Sequence, residues 1–240
     1  MVAMPFSKRR TSAERSAAVH AQASRCFPLA HRFIVAACAL VAVAGGQASE
    51  LVVRDIGFDI ELLPSAFDYT IDGNTSRSGS DEFDRSIGIV IGCPYSFAGP
   101  GDSHGFLAAG ELALSQSSYG AIGHLTRYGV RVVGGYGYAF SDSLSFTAMA
   151  KLGYGLATFD LSANSAFPAL SATGTTLTYG LMLGADYTFS DRFLAGIKVG
   201  YLKMADKLSG TGVDITIDNA GLAFALGFSY RFSNSPRTLQ

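Results

Sequence analysis

The sequence predicts an all-β chain: an eight-stranded antiparallel up-and-down β-barrel that crosses a membrane, preceded by a cleaved signal peptide. Three observations carry this. From residue 50 onward, apolar side chains recur with a period of two. A Tyr-x-Phe pair recurs at Tyr95/Phe97, Tyr138/Phe140, Tyr187/Phe189 and Tyr230/Phe232, at spacings of 43, 49 and 43 residues. The first 48 residues differ in charge from everything after them.

Composition narrows the options first. Of 240 residues, 48% are hydrophobic and 15% charged, a charged share well below the usual quarter or so. No apolar run reaches the length of a membrane-crossing helix; the longest, Phe33 to Ala44, has 12 residues. A net charge of −1 argues against a nucleic-acid binder. That value hides an asymmetry. Residues 1–48 hold six bases and one acid, or +5; the remaining 12 bases and 18 acids give −6.

Residues 1–48 read as the signal peptide: a basic start, the apolar run 33–44, then Gly46-Gln47-Ala48 as a small-x-small cleavage site. Cleavage is expected after Ala48, with Ala44 as the other option. A mitochondrial presequence is the competing reading, and the uninterrupted apolar run favours export. Val35-Ala36-Ala37-Cys38 has the look of a lipoprotein box, but only two apolar residues, Phe33 and Ile34, separate it from Arg32. Cys26 and Cys38 leave with the signal, so the mature chain keeps only Cys93 and no zinc spacing.

The strands follow in order from the alternation. Ile56, Phe58, Ile60 and Leu62 alternate with Asp55, Gly57, Asp59 and Glu61. Ile87, Ile89 and Ile91 alternate with Ser86, Gly88, Val90 and Gly92. The same rhythm runs through Tyr128–Phe140, Phe146–Leu156, Leu177–Phe189, Phe193–Tyr201 and Leu222–Phe232. Each Tyr-x-Phe ends a strand, and the first three lead through a turn into the next, as at Ser141-Asp142-Ser143. The unit is therefore a pair of strands, and four units give eight. They are expected at 51–63, 83–95, 104–116, 125–140, 144–159, 176–189, 193–204 and 215–232. Polar loops are expected at 64–82, 117–124, 160–175 and 205–214. Lipid cannot satisfy backbone polar groups, so a sheet crossing it must close on itself. A soluble barrel of the lipocalin type would put the bulky rings inside and glycine outside. Eight strands leave only enough interior for side chains, which favours rings outside.

Ala225-x-Gly227-x-x-Tyr230-x-Phe232 resembles the C-terminal assembly signal of bacterial outer-membrane barrels. With the signal, the alternation and the paired-strand repeat, residues 50–232 resemble the small eight-stranded outer-membrane protein A/X-like barrels. The resemblance implies a Gram-negative-type outer membrane, outer-membrane lipid around the wall, and assembly machinery that reads Gly227, Tyr230 and Phe232. The barrel domain is expected at 49–232. The tail 233–240 is too short for the peptidoglycan-binding domain that some relatives carry.

With apolar residues outward, Asp55, Asp59, Glu61, Asp84, Glu111 and Asp186 point inward, against Arg127, Arg131, Lys151, Lys198 and Arg231. Asp59, Glu111, Arg131, Lys151 and Lys198 are expected near mid-height, with Glu111 and Arg131 paired across adjacent strands. Buried ions must be paired, so the charges read as a network that fills the interior. A narrow or gated channel for small solutes is the alternative.

Chemistry is otherwise sparse. His124 lies near Ser117 and Ser118, too local a cluster for a hydrolase, and no nucleotide-binding turn is present. Neither an enzyme nor a cofactor is expected. Loops 64–82 and 160–175, the latter with Phe167-Pro168-Ala169-Leu170, are the candidate contacts for an extracellular partner. The other reading of that apolar tip folds Phe167 and Leu170 over the barrel mouth.

Overall fold

The computed structural model describes residues 55–73, 76–96, 103–120, 123–162 and 169–231. The expected signal peptide, Phe97, Phe167, Phe232 and the tail 233–240 lie outside them. Among the described residues ten strands form one sheet: β1 (Asp55–Leu62), β2 (Ala66–Asp72), β3 (Arg77–Glu82), β4 (Arg85–Ser96), β5 (His104–Tyr119), β6 (Gly123–Ala139), β7 (Leu144–Leu161), β8 (Leu170–Ser190), β9 (Phe193–Gly210) and β10 (Val213–Arg231). All neighbours are antiparallel, and β1 pairs with β10 to close the ring. The barrel wall is thus β1 and β4 to β10, eight strands as expected from the repeat. The aromatic ends of the strands sit at the short turns 140–143 and 191–192.

The two added strands correct the expected loop 64–82, which is a β-hairpin. β2 continues the line of β1 along β10 with the register offset unchanged, from Leu62 opposite Phe224 to Phe67 opposite Asn219. Pro64 breaks the ladder between them because it has no N–H to give. Asn219 bridges the break, donating from Nδ2 to the carbonyls of Pro64 and Ala66 at 3.0 and 2.7 Å. On the return, β3 pairs with β2 and β4 with β1, and the offset slips by one residue at Phe83-Asp84.

The reason a loop was expected is a reversal of polarity along the wall. On β10 the outward residues near the short-turn end are Leu222, Phe224, Leu226 and Phe228, all exposed. Further up, Asp214 faces out, while Ile215 and Ile217 are buried inside. β9 does the same, with Ile197, Val199 and Tyr201 outward below and Leu208 inward above. The lower wall meets hydrocarbon and the upper wall meets water, so the apolar face changes sides. By the usual orientation of such barrels, the long-strand end is extracellular. Tyr128, Tyr154, Tyr179 and Tyr201, all exposed, lie near the changeover on four neighbouring strands.

The same effect lengthens the strands. β5 reaches Tyr119, β8 starts at Leu170, β9 reaches Gly210 and β10 starts at Val213. The expected loops 117–124, 160–175 and 205–214 shrink accordingly. The upper end is filled by Phe67, Phe83, Leu125, Ala157, Ala172, Leu208, Ile215 and Ile217, with Leu170 packed against them. Phe67 stacks on Phe83 at 4.2 Å between ring centroids. Leu170 is therefore part of an inner apolar cap rather than of an exposed apolar tip.

Tyr119 ties the hairpin to the wall, its hydroxyl donating to Asp81 Oδ2 at 2.5 Å. That bond holds the Asp81 carboxyl below its ordinary 3.8 and raises the Tyr119 hydroxyl above its ordinary 10.0. A depressed carboxyl stabilises the fold above its unfolded value, and that contribution is lost as pH falls through the folded one. Tyr119→Phe is expected to raise the Asp81 titration towards the ordinary range, with the Glu82 N–H, 2.9 Å from Asp81 Oδ1, still holding it down in part. Carboxyl-carbon NMR of the labelled protein checks this; an unmoved midpoint would show that the bond does not form in solution.

Candidate functional site

The interior below the apolar cap is the candidate site. Odd-numbered residues of β1, β5, β6 and β7 point into it, which brings Glu61, Glu111, Arg131 and Lys151 together although they come from four strands. Glu61 is the hub. Its Oε2 accepts from Arg131 Nη1 at 2.7 Å and its Oε1 from Lys151 Nζ at 2.9 Å. Glu111 closes the ring more loosely, at 3.3 Å from Lys151 and 4.0 Å from Arg131. Glu111 and Arg131 are direct cross-strand neighbours, as their positions suggested. Yet the guanidinium of Arg131 reaches across the lumen to Glu61 instead. Glu61 is fully buried and sits between two cations.

A second cluster lies towards the cap. Arg127 grips Asp206 with Nε at 3.0 and 3.1 Å and Nη2 at 2.8 Å. Its Nη1 donates to Ser117 Oγ at 3.0 Å, and Ser117 Oγ lies 2.7 Å from Ser86 Oγ. The forked guanidinium matches a carboxylate with two parallel bonds, the strong form of this contact. Towards the short turns, Lys198 meets Asp59 at 2.5 Å and Arg231 meets Asp55 at 3.1 Å.

Every base expected inside thus has an acid partner. Asp186 lies on the inner side of β8, half-buried near the turn. Asp84 departs from the expectation: the one-residue slip at Phe83-Asp84 turns it outward, and it is exposed. Asp206 was missed because residues 205–214 read as a loop. The signal was present in Leu202, Met204, Asp206 and Leu208 alternating with Lys203, Lys207 and Ser209, once polar-outward is allowed above the lipid. The interior also has an apolar sector, where Leu63, Met182, Leu202, Met204 and Ala223 are buried together.

Glycines make room for these side chains. A Cβ at Gly153 would lie 2.6 Å from Arg131 Cγ and 3.0 Å from the Val130 carbonyl oxygen. Gly227 similarly backs the Asp59–Lys198 pair, its would-be Cβ crowding Asp59 Oδ1. By contrast, nothing lies within 4 Å of a Cβ at outward-facing Gly134. Gly153→Ala is therefore expected to cost about 1–3 kcal/mol through overpacking, and Gly134→Ala almost nothing. Urea titrations of the two folded variants check the contrast; equal midpoints would contradict the packing around Arg131.

The Ser-His cluster forms only in part. Ser117 is buried on the inner face with Arg127 and Ser86, whereas Ser118, His124 and Asp160 are cross-strand neighbours on the outer face, where Asp160 accepts from Ser171 Oγ at 2.7 Å. Tyr230, of the expected assembly signal, has a ring 5.3 Å from Phe193 at the short-turn end of the wall.

Residues 97–235 match the family described as outer membrane protein beta-barrel domain. No curated protein matches the sequence. Among solved structures, OprG from Pseudomonas aeruginosa is 17% identical with a TM-score of 0.44, over 75% of this chain and 96% of that one. Neisserial surface protein A is 13% identical with a TM-score of 0.41, over 77% and 100%. The attachment invasion locus protein Ail of Yersinia pestis is 15% identical with a TM-score of 0.35, over 75% and 100%.

Proposed function

The chain belongs to the outer membrane protein beta-barrel domain family, a protein of the Gram-negative outer membrane, and from that premise we propose that it is a closed barrel whose work is done at its surface. The observation supporting this reading is the filled lumen. Paired ions occupy the middle, an apolar sector lies beside them, and an apolar cap seals the extracellular end. Eight strands enclose just enough space for side chains. The role is structural or adhesion-like, with the water-exposed upper wall as the contact surface and no catalysis assigned.

A gated narrow channel is the second reading, and one observation favours it. Arg131 touches both acids of the central ring, so an exchange of partners needs only a short movement. Planar-bilayer recording of purified protein separates the two. A closed barrel gives no discrete openings at moderate voltage; regular openings in the wild type would overturn the surface reading.

Export and assembly are part of the proposal. Residues 1–48 are removed, leaving Ser49, or Gly45, as the mature N-terminus. Assembly machinery reads Gly227, Tyr230 and Phe232. Phe232→Ala is expected to lower insertion and leave protease-sensitive protein in the periplasm. Unchanged yield and unchanged heat-modifiable migration of the variant would contradict this role.

A further inference from the structure

The first hairpin has one side without a neighbour. β3 pairs with β2 along one edge, and among the described residues no strand pairs with the other. β5, the next strand of the wall, ends at Tyr119, beside the membrane-proximal end of β3. In an antiparallel ladder alternate residues turn their N–H and C=O to opposite sides. Half of the β3 backbone groups therefore face water. The strand sits above the polarity changeover, since its partner β2 pairs with Asp214–Asn219 of β10. It also stands on a firm base, the Phe67–Phe83 stack. Its residues are small or charged, Arg77-Ser78-Gly79-Ser80-Asp81-Glu82, and no proline guards the edge.

Charge selects the occupant. Residues 66–84 carry five acids, Asp68, Asp72, Asp81, Glu82 and Asp84, and one base, Arg77. Among the described residues none of the five carboxylates forms an ion pair with a Lys or Arg, although the inward bases of the barrel all do. Asp68, Asp72 and Asp81 are held by the hydroxyls of Ser80, Ser76 and Tyr119, which orients them without neutralising them.

We propose that the free edge of β3 takes an extended basic peptide segment as an added antiparallel strand. This rests on the surface reading above and gives it a partner chemistry. Backbone groups supply the attachment and the acids supply the selection. Direction follows as well. β3 runs from the tip towards the membrane, with Arg77 at the start, Asp81 and Glu82 at its end, and Asp84 just beyond it, where the Asp84 N–H already bonds the Ser118 carbonyl of β5 and only its exposed carboxylate is available. An antiparallel partner therefore places its N-terminal residues beside the acids and its C-terminal residues beside Arg77. Bases belong in the N-terminal half of that segment and an acid at its end.

Fluorescence anisotropy with the full mature protein in lipid nanodiscs tests this, using the labelled peptide Lys-Thr-Lys-Thr-Val-Thr-Glu. Saturable binding is expected. The same peptide methylated on alternate backbone nitrogens, in either phase, keeps its charge but cannot complete a ladder, and one of the two phases is expected not to bind. The double variant Glu82→Gln, Asp84→Asn should weaken binding about tenfold through two lost exposed pairs, while its thermal unfolding stays unchanged. Equal binding of both methylated peptides would reduce the effect to charge and overturn strand addition. Absence of binding by a barrel that is silent in planar bilayers would overturn the edge assignment alone. Conductance by the wild type would instead sink the surface reading, whatever the peptide does.

Discussion

Glu61→Ala is expected to destabilise the barrel by about 3–5 kcal/mol, because it leaves buried cations without their main partner. Glu61 holds Arg131 and Lys151 at once, at 2.7 and 2.9 Å, and all three side chains are nearly or wholly buried. Glu111 cannot take over fully, since it reaches Arg131 only at 4.0 Å. Glu111→Ala should accordingly cost less, as Arg131 and Lys151 then keep Glu61. Adding Lys151→Met to Glu61→Ala should recover part of the loss, because one stranded charge is gone. Urea titrations of protein folded in lipid vesicles measure all three. Equal losses for Glu61→Ala and Glu111→Ala would show that the hub is misplaced.

Leu152→Arg and Ile89→Arg should each cost about 2–4 kcal/mol, the depth-dependent penalty for a cation on the lipid face near mid-height. Both side chains are exposed on the lower wall, at 54% and 43%. Asp214→Arg, exposed and outward on the upper wall, should cost far less, since water already reaches that position. The same titrations decide. Tolerance of arginine at 152 and 89 would mean that the lower wall does not face hydrocarbon.

The parts of this fold that were legible in the sequence are the parts that lipid dictates. Where hydrocarbon bounds the wall, Ile87-Gly88-Ile89-Val90-Ile91 and Phe224-Ala225-Leu226-Gly227-Phe228 alternate with one apolar side and one small or polar side. The strand count, the inward parity of Glu61, Arg127, Arg131 and Lys151, and the short-turn end followed from that one rule. Above the lipid the rule inverts. Phe67, Tyr69 and Ile71 alternate with Asp68, Thr70 and Asp72 as clearly as any lower strand, but on a segment rich in turn residues they read as a polar loop. Asp206 was lost in the same way.

Partner choice inside the barrel was out of reach for a different reason. Sequence spacing places Glu111 opposite Arg131, and they are neighbours in register. The long Arg131 side chain crosses the lumen because Glu61 offers a fully buried carboxylate there, and ring closure by the β1–β10 pairing is what brings β1 within reach. The slip at Phe83-Asp84 is equally hidden, because no residue type there demands a bulge. It alone moves Asp84 out of the interior.

A spin-label scan along β10 tests the whole wall in one series. Cysteine labels would be placed singly at 214, 216, 218, 222, 224, 226 and 228 on the outer face and at 215, 217, 223 and 225 on the inner, after Cys93→Ser. Accessibility to oxygen reports lipid, and accessibility to a water-soluble nickel complex reports water. The closed two-zone barrel predicts oxygen contact at 222 to 228, nickel contact at 214 to 218, and neither at the four inner positions. Nickel contact at 223 and 225 would mean an open aqueous lumen, and oxygen contact at 214 to 218 would mean that the upper wall lies in the bilayer; either result would contradict the account.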